Sequence, residues 1–204
     1  MIFQADELSA KQHYKFLSGA IIPRPIAFVT TLMEDGQTVN AAPFSFFNIV
    51  SSDPPIISVS VQRAAGKQKD TARHAIRQQE MMVHIVSGDF ISEVNETAAR
   101  LGPSESEIER TNLTLLHLPD FATPVISEAQ IILPSKLVQV IEIRNDAGEV
   151  TADLLLARVQ AYMFDEAVFD SKKEYLLTDV LQPVSRLAGN DYAKLGETFT
   201  LKRP

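Results

Sequence analysis

The sequence has no cysteine and no tryptophan among its 204 residues. Without cysteine there are no disulfides, no thiolate nucleophile, no iron–sulfur cluster and no thiolate zinc site, and the chain suits a reducing compartment. Histidine is also sparse. His13, His74, His84 and His117 fall at no metal-ligand spacing, so no metal centre is expected. No stretch approaches the roughly 20 apolar residues of a membrane span. Asp6, Glu7, Lys11 and Lys15 interrupt the region where a secretory signal would need an apolar core. A soluble, cytoplasmic protein with no membrane partner is expected. Positive charge is in deficit, with 19 Lys and Arg against 26 Asp and Glu, and the net −7 leaves no overall attraction for nucleic acid. The glycines never fall as Gly-x-Gly, which removes the dinucleotide fingerprint and the kinase loop, and no P-loop is present. Ser45 lacks the flanking glycines of a nucleophile elbow, so no catalytic side chain is named.

What is present is a globular balance of 45% hydrophobic and 22% charged residues, in a chain long enough to enclose a cofactor-sized cavity. No repeat, low-complexity tract or Ser/Gly linker invites a cut, so one domain over residues 1–204 is expected. Arg24 to Leu32 is rich in β-branched and aromatic residues and ends at Glu34-Asp35-Gly36, which reads as a strand and a hairpin turn. Pro43 to Asn48 reads as an irregular aromatic segment rather than a paired central strand, because it opens on proline. Ile57, Val59 and Val61 alternate with Ser58, Ser60 and Gln62, the pattern of a strand with one buried face.

Lys69 to Arg77 reads as a short helix with Asp70 or Thr71 as N-cap, followed by a strand over Met81 to Val86. Phe90, Val94, Ala98 and Leu101 recur at helical spacing, with Gly102-Pro103 as the stop. Strands are expected over Leu137 to Ile143 and Val150 to Phe164, on either side of the turn at Asn145 to Gly148, and a last one over Thr198 to Leu201. Five to seven strands with a few short helices, and no regular βαβ alternation, specify a mainly β barrel or sandwich with helical insertions.

Two clusters carry chemistry. Gly66 to Arg73 places Lys69, Asp70 and Thr71 at a helix start, where free main-chain N–H groups and the positive dipole end attract an anion. The same residues also make a capped, solvated helix terminus. Asn40 to Asn48 combines small residues with Pro43, Phe44, Ser45, Phe46 and Phe47, which supply either apolar walls for a flat heterocycle or plain core. Arg24, set between Pro23 and Pro25, has its main chain stiffened on both sides.

Taken in order, Ile22 to Thr31, Asn40 to Asn48, Asp53-Pro54-Pro55, Lys69-Asp70-Thr71 and Arg186-Leu187-x-Gly189-x-x-Tyr192 closely resemble the flavin reductase-like family of FMN-binding split-barrel proteins. The resemblance implies a Greek-key split β-barrel that forms homodimers, with FMN at or near the subunit interface. It implies Lys69 and Thr71 as phosphate ligands, Asp70 shaping the turn and Arg24 assisting. Thr30, Thr31 and Leu32 would present main-chain groups along the flavin. Pro43, Phe44, Ser45, Phe46 and Asn48 would line its ring, and Tyr192 would close over it. The implied activity is NAD(P)H-dependent flavin reduction, with NADH or NADPH as donor and an oxygenase or another acceptor as electron partner. A non-enzymatic carrier resembling flavoredoxin and an oxidase of the pyridoxamine phosphate type are the alternatives. Two positions depart from the family pattern, where asparagine often stands: His74 in the helix and His84 in the next strand. A pocket-facing His84 would tune the flavin; on the outer strand face, satisfied by solvent or a carboxylate, it would not.

Overall fold

In a computed structural model of the protein, residues 1–99, 101–102 and 105–202 are described. The helices are α1 (Ala10–Ala20), α2 (Asp70–Gln78), α3 (Ile91–Glu96) and α4 (Thr178–Leu181). The first six strands are β1 (Arg24–Pro25), β2 (Ala27–Leu32), β3 (Val39–Phe44), β4 (Phe47–Ser52), β5 (Pro55–Gln62) and β6 (Glu80–Ile85). Two short strands, β7 (Leu115–Leu116) and β8 (Val125–Ile126), pair with each other, and the long β9 (Ile131–Arg144) and β10 (Val150–Val159) follow. The chain closes with β11 (Met163–Phe164), β12 (Phe169–Asp170), β13 (Tyr175–Leu176), β14 (Val184–Arg186) and β15 (Tyr192–Lys194).

The main sheet runs β3-β2-β6-β9-β10-β5-β4, with β11 added on β9. All its pairings are antiparallel, and the two edge strands, β3 and β4, are consecutive in the chain. The sheet therefore curls into a split β-barrel of Greek-key type. Alternation decides which side chain goes where. Val29, Val59, Val61, Met81, Val83 and Leu155 fill the interior, and α2 contributes Ala72 and Ala75 to the same cluster. The opposite face carries a second core of Phe28, Met82 and Val86 under Phe90, Val94, Ile108 and Val125 from the excursion that links β6 to β9. Gly36 closes the β2–β3 hairpin at φ +69°, a conformation that costs a residue with a Cβ.

The expected strands at 24–32, 56–62 and 81–86 are present within a residue or two, and Ile57, Val59 and Val61 face inward. Pro43 is a correction: it lies inside β3, because β3 is an edge strand where a missing N–H breaks no ladder bond. The helix after Phe90 is shorter than its apolar stripe, since Thr97 turns its hydroxyl onto the Val94 carbonyl at 2.7 Å and ends it; Pro103, half of the expected stop, lies outside the described residues. Residues 198–201 form no strand. They are exposed and pair with nothing, whereas β14 and β15 do pair. Helix α1 has no counterpart in the sequence reading: its apolar residues Tyr14, Phe16 and Leu17 stay exposed, so no buried stripe marks it, although Ser9 and Gln12 form a full capping box. The apolar run at 154–156 belongs to the barrel wall, with Leu155 fully buried in its interior. No helix among the described residues is long and apolar enough to cross a membrane.

Candidate functional site

Helix α2 opens on Lys69 in extended backbone, and no side chain caps it. Neither expected cap is available. Asp70 is drawn to Arg73, with Oδ1 2.5 Å from Nη1, and Thr71 turns inward and is buried. The first-turn N–H groups and the positive end of the helix dipole are thus left for an external acceptor, beside the exposed Lys69. Asn40 on β3 donates its amide to Thr71 Oγ1 at 3.0 Å and to Thr31 Oγ1 at 3.3 Å. A hydroxyl that accepts a bond keeps its own proton, so Thr71 adds a donor at the helix start. Arg73 Nη2 lies 3.2 Å from His74 Nε2; an arginine only donates, so Nε2 accepts and the proton sits on Nδ1. That Nδ1 is buried without a partner among the described residues. Burial, and then the neighbouring Arg73, push the His74 pKa below its ordinary value.

From this cradle β3 leads along the edge of the sheet. Ser106 donates to the Val39 carbonyl, and Glu107 Oε2 accepts from the Ala41 N–H at 3.1 Å, so the odd-numbered residues of β3 direct their main-chain groups away from β2. Burial pushes the Glu107 pKa up, against the pull of its own and the Ala41 N–H. Beyond Ala41 the edge reaches a cavity of about 630 Å³. Its apolar walls are Ile26, Pro43, Phe44, Ile91, Val94 and Ala98, and its polar groups come from Tyr14, Ser45, Asn95, Arg186, Asn190 and Tyr192. Tyr192 donates its hydroxyl to Asn95 Oδ1 at 3.1 Å, and the Arg186 guanidinium stacks 4.4 Å from the centre of the Tyr192 ring. The volume suits a flat heterocycle, and apolar walls with a few polar edges are what such a ring needs. Anion donors at one end of β3 and a walled cavity at the other fit a flavin mononucleotide. Lys69, Thr71 and the α2 N–H groups would hold its phosphate, and Pro43, Phe44 and Ser45 its ring.

Lys69, Asp70 and Thr71 stand together with Asn40, while Pro43, Phe44, Ser45 and Tyr192 share the cavity. The remaining expected residues lie elsewhere. Asn48 belongs to a second, apolar groove of about 530 Å³, with Phe47, Ile49, Ile57, Tyr162 and Phe164. Phe46 lines neither cavity. Thr30 is fully buried and donates to the Pro124 carbonyl at 2.8 Å, on the face away from α2. Thr31 and Leu32 are buried as well, and Thr31 reaches the cradle through Asn40.

Arg24 is buried and holds main-chain carbonyls: Nη1 donates to Ser18 at 2.5 Å and Ile21 at 2.7 Å, and Nη2 to Leu187 at 2.8 Å. It clamps α1 to the chain after β14. His84 lines neither cavity and lies on the outer strand face, as the second sequence reading has it, but main chain satisfies it in place of solvent or a carboxylate. It is fully buried on the outer strand face beneath β8, where Nε2 accepts from the Ile126 N–H at 2.9 Å and Nδ1 donates to the Phe28 carbonyl at 2.8 Å. Desolvation pulls its pKa down to about 4, against the opposing pull of the Phe28 bond. Both ring nitrogens are engaged, which leaves no lone pair for a metal.

Glu107, Asn95 and Asn190 escaped the sequence reading. Glu107 arrives from the long excursion between β6 and β9, Asn190 stands at an unspecified position of the Arg186 to Tyr192 motif, and Asn95 lies on α3 beside the apolar stripe that drew the helix reading.

The model of the flavin reductase like domain matches residues 18–179. The uncharacterized protein YwrF of Bacillus subtilis (strain 168) is 57% identical over 203 residues, covering 100% of this chain and 98% of its own. The crystal structure of nitrilotriacetate monooxygenase component B from Bacillus cereus superposes with a TM-score of 0.94 at 42% identity, covering 98% of each chain. The Pseudomonas fluorescens 2-nitrobenzoate 2-nitroreductase NbaA gives 0.89 at 27% identity, over 100% of this chain and 96% of that one.

Proposed function

The chain belongs to the flavin reductase-like family, and on that footing we propose that it is an FMN-binding oxidoreductase that takes electrons from NADH or NADPH and delivers them to a second acceptor. The observation that carries this reading is the uncapped start of α2 at one end of β3 with the walled cavity at the other. Asn40 to Phe44 covers four strand rises, about 13–14 Å, a span suited to a ligand with a phosphate at one end and a flat ring at the other.

Bound FMN supplies hydride chemistry that no side chain here offers. The protein's part is to bind, orient and exclude water. Lys69 and Thr71 neutralise and hydrogen-bond the phosphate. Pro43 contributes a carbonyl but no N–H to the β3 edge, so donors and acceptors along the ring edge come from its main-chain neighbours and from Ser45. Ile91 and Val94 keep the inner wall dry, while Tyr14, Asn190 and Tyr192 border the polar side, where a second substrate enters. No cavity side chain is given a proton-transfer role.

The likeness to a monooxygenase component supports an oxygenase as the consumer of the electrons. The apolar groove supports a homodimer: Ile49 is 76% exposed beside it and Tyr162 57%, an apolar surface that a second copy would cover. The test is oxidation of NADH and NADPH by purified protein supplied with FMN. Turnover that depends on added or bound FMN is the expected result. Flavin binding without nicotinamide oxidation would make the protein an electron carrier instead.

A further inference from the structure

The cavity wall holds one arginine, Arg186, whose arrangement the flavin site does not explain. Arg24 and Arg186 are direct cross-strand partners in the β1–β14 ladder, and like charges placed opposite each other are destabilising. Arg24 is held by the carbonyl oxygens of Ser18, Ile21 and Leu187, which solvate its charge without cancelling it. Arg186 donates to one carbonyl, that of Gly189 in the β14–β15 turn, where φ is +59°. Neither has a carboxylate partner among the described residues, whose ion pairs use Arg63, Arg73, Arg144 and Lys173. On a chain of net charge −7, Arg186 is therefore an unpaired positive charge among the lining residues of this cavity, and low-dielectric walls focus such a field.

The Arg186 side chain is also held in place. Its cross-strand neighbour Tyr192 provides a ring 4.4 Å beneath the guanidinium, and Asn95 anchors the Tyr192 hydroxyl. A planar guanidinium fixed at a half-buried rim offers its remaining N–H groups as a fork for a carboxylate or phosphate. The same cavity is walled by Ile26, Ile91 and Val94, apolar surface that suits a flat ring.

We propose that Arg186 is the anion receptor of this cavity, binding the negative group of the flat molecule that exchanges electrons with the flavin. This rests on the flavin reading of the site. The chemistry is a planar ring bearing a carboxylate or phosphate. It is shared by a nicotinamide dinucleotide and by an aromatic acid that serves as acceptor.

The test compares the parent with Arg186→Met and Arg186→Lys in two arms. In the first, calorimetry measures benzoate against its neutral isostere benzamide. In the second, steady-state KM is measured for NADH against the uncharged donor 1-benzyl-1,4-dihydronicotinamide, in flavin-loaded protein. Loss of a charge-assisted hydrogen bond should weaken the anionic member of at least one pair by roughly 10-fold or more in Arg186→Met, with partial rescue by lysine and no change for the neutral member. An effect confined to benzoate identifies an aromatic acid, and one confined to NADH identifies the nucleotide. Equal effects on charged and neutral members, or none on either, overturn the proposal. So does a loss of FMN affinity in Arg186→Met matching that of a phosphate ligand, which would place Arg186 on the flavin itself. A parent that takes up no flavin defeats the functional reading, while the benzoate arm still decides whether Arg186 binds an anion.

Discussion

The Asn40 amide reaches the Thr71 hydroxyl at 3.0 Å and so ties an edge strand of the barrel to the first turn of α2. Because Thr71 accepts this bond, its own proton is left to donate at the helix start, where no side chain caps the main-chain N–H groups. Thr71→Val keeps the shape and removes both functions. FMN binding should weaken by about 1 kcal/mol, the scale of one hydrogen bond, and riboflavin binding should not change. Fluorescence titration of the two flavins measures this. Equal losses for both would mean that Thr71 supports the fold and not a phosphate.

His84 makes stability depend on pH. Unfolded, its imidazole takes a proton near pH 6.5; buried between Phe28 and Ile126, it does so only near 4. The unfolded state therefore holds more protons between these values. The stabilisation is complete above about 6.5 and is lost as pH falls toward 4, by about 3 kcal/mol in all. Urea unfolding at pH 7 and pH 5 should show this slope in the parent and a flatter one in His84→Asn. Because His84 lines neither cavity, the flavin potential should vary with pH identically in the two proteins. A difference confined to pH 5.5–7 would put the imidazole beside the ring.

Arg24→Met should lower stability by about 3 kcal/mol, since the carbonyls of Ser18, Ile21 and Leu187 lose a buried charged donor together. Thermal melting measures it. Flavin affinity that falls while the melting temperature holds would make Arg24 a phosphate ligand after all.

Ile49→Asp should convert the expected homodimer to a monomer, because it sets a charge on the exposed apolar rim of the β4 groove. Sedimentation across a dilution series would reveal it. A parent that is monomeric at all concentrations would remove the dimer from the account.

The barrel strands were legible wherever one face alone is buried, as in Ile57-Ser58-Val59-Ser60-Val61, because burial then writes a period of two into the sequence. Pro43 misled for a reason that sequence does not carry: whether a proline breaks a ladder depends on which strand ends up at the edge. The cradle was legible through Lys69 and Thr71, since helix starts announce themselves locally. Its third member, Asn40, was not, because it arrives from a strand thirty-one residues away. His84 shows the other limit. A polar residue in an apolar strand signals either a pocket or a satisfied core position, and here the main chain of β2 and β8 provides the satisfaction.

Titrating the parent and Lys69→Ala with FMN and with riboflavin decides whether a flavin is held by its phosphate at the start of α2. The parent should bind FMN at least about 10-fold more tightly than riboflavin. Lys69→Ala should weaken FMN binding by about 1.5–3 kcal/mol and leave riboflavin binding unchanged. A parent that binds the two flavins equally, or a Lys69→Ala variant that binds FMN as tightly as the parent, would contradict this placement of the phosphate.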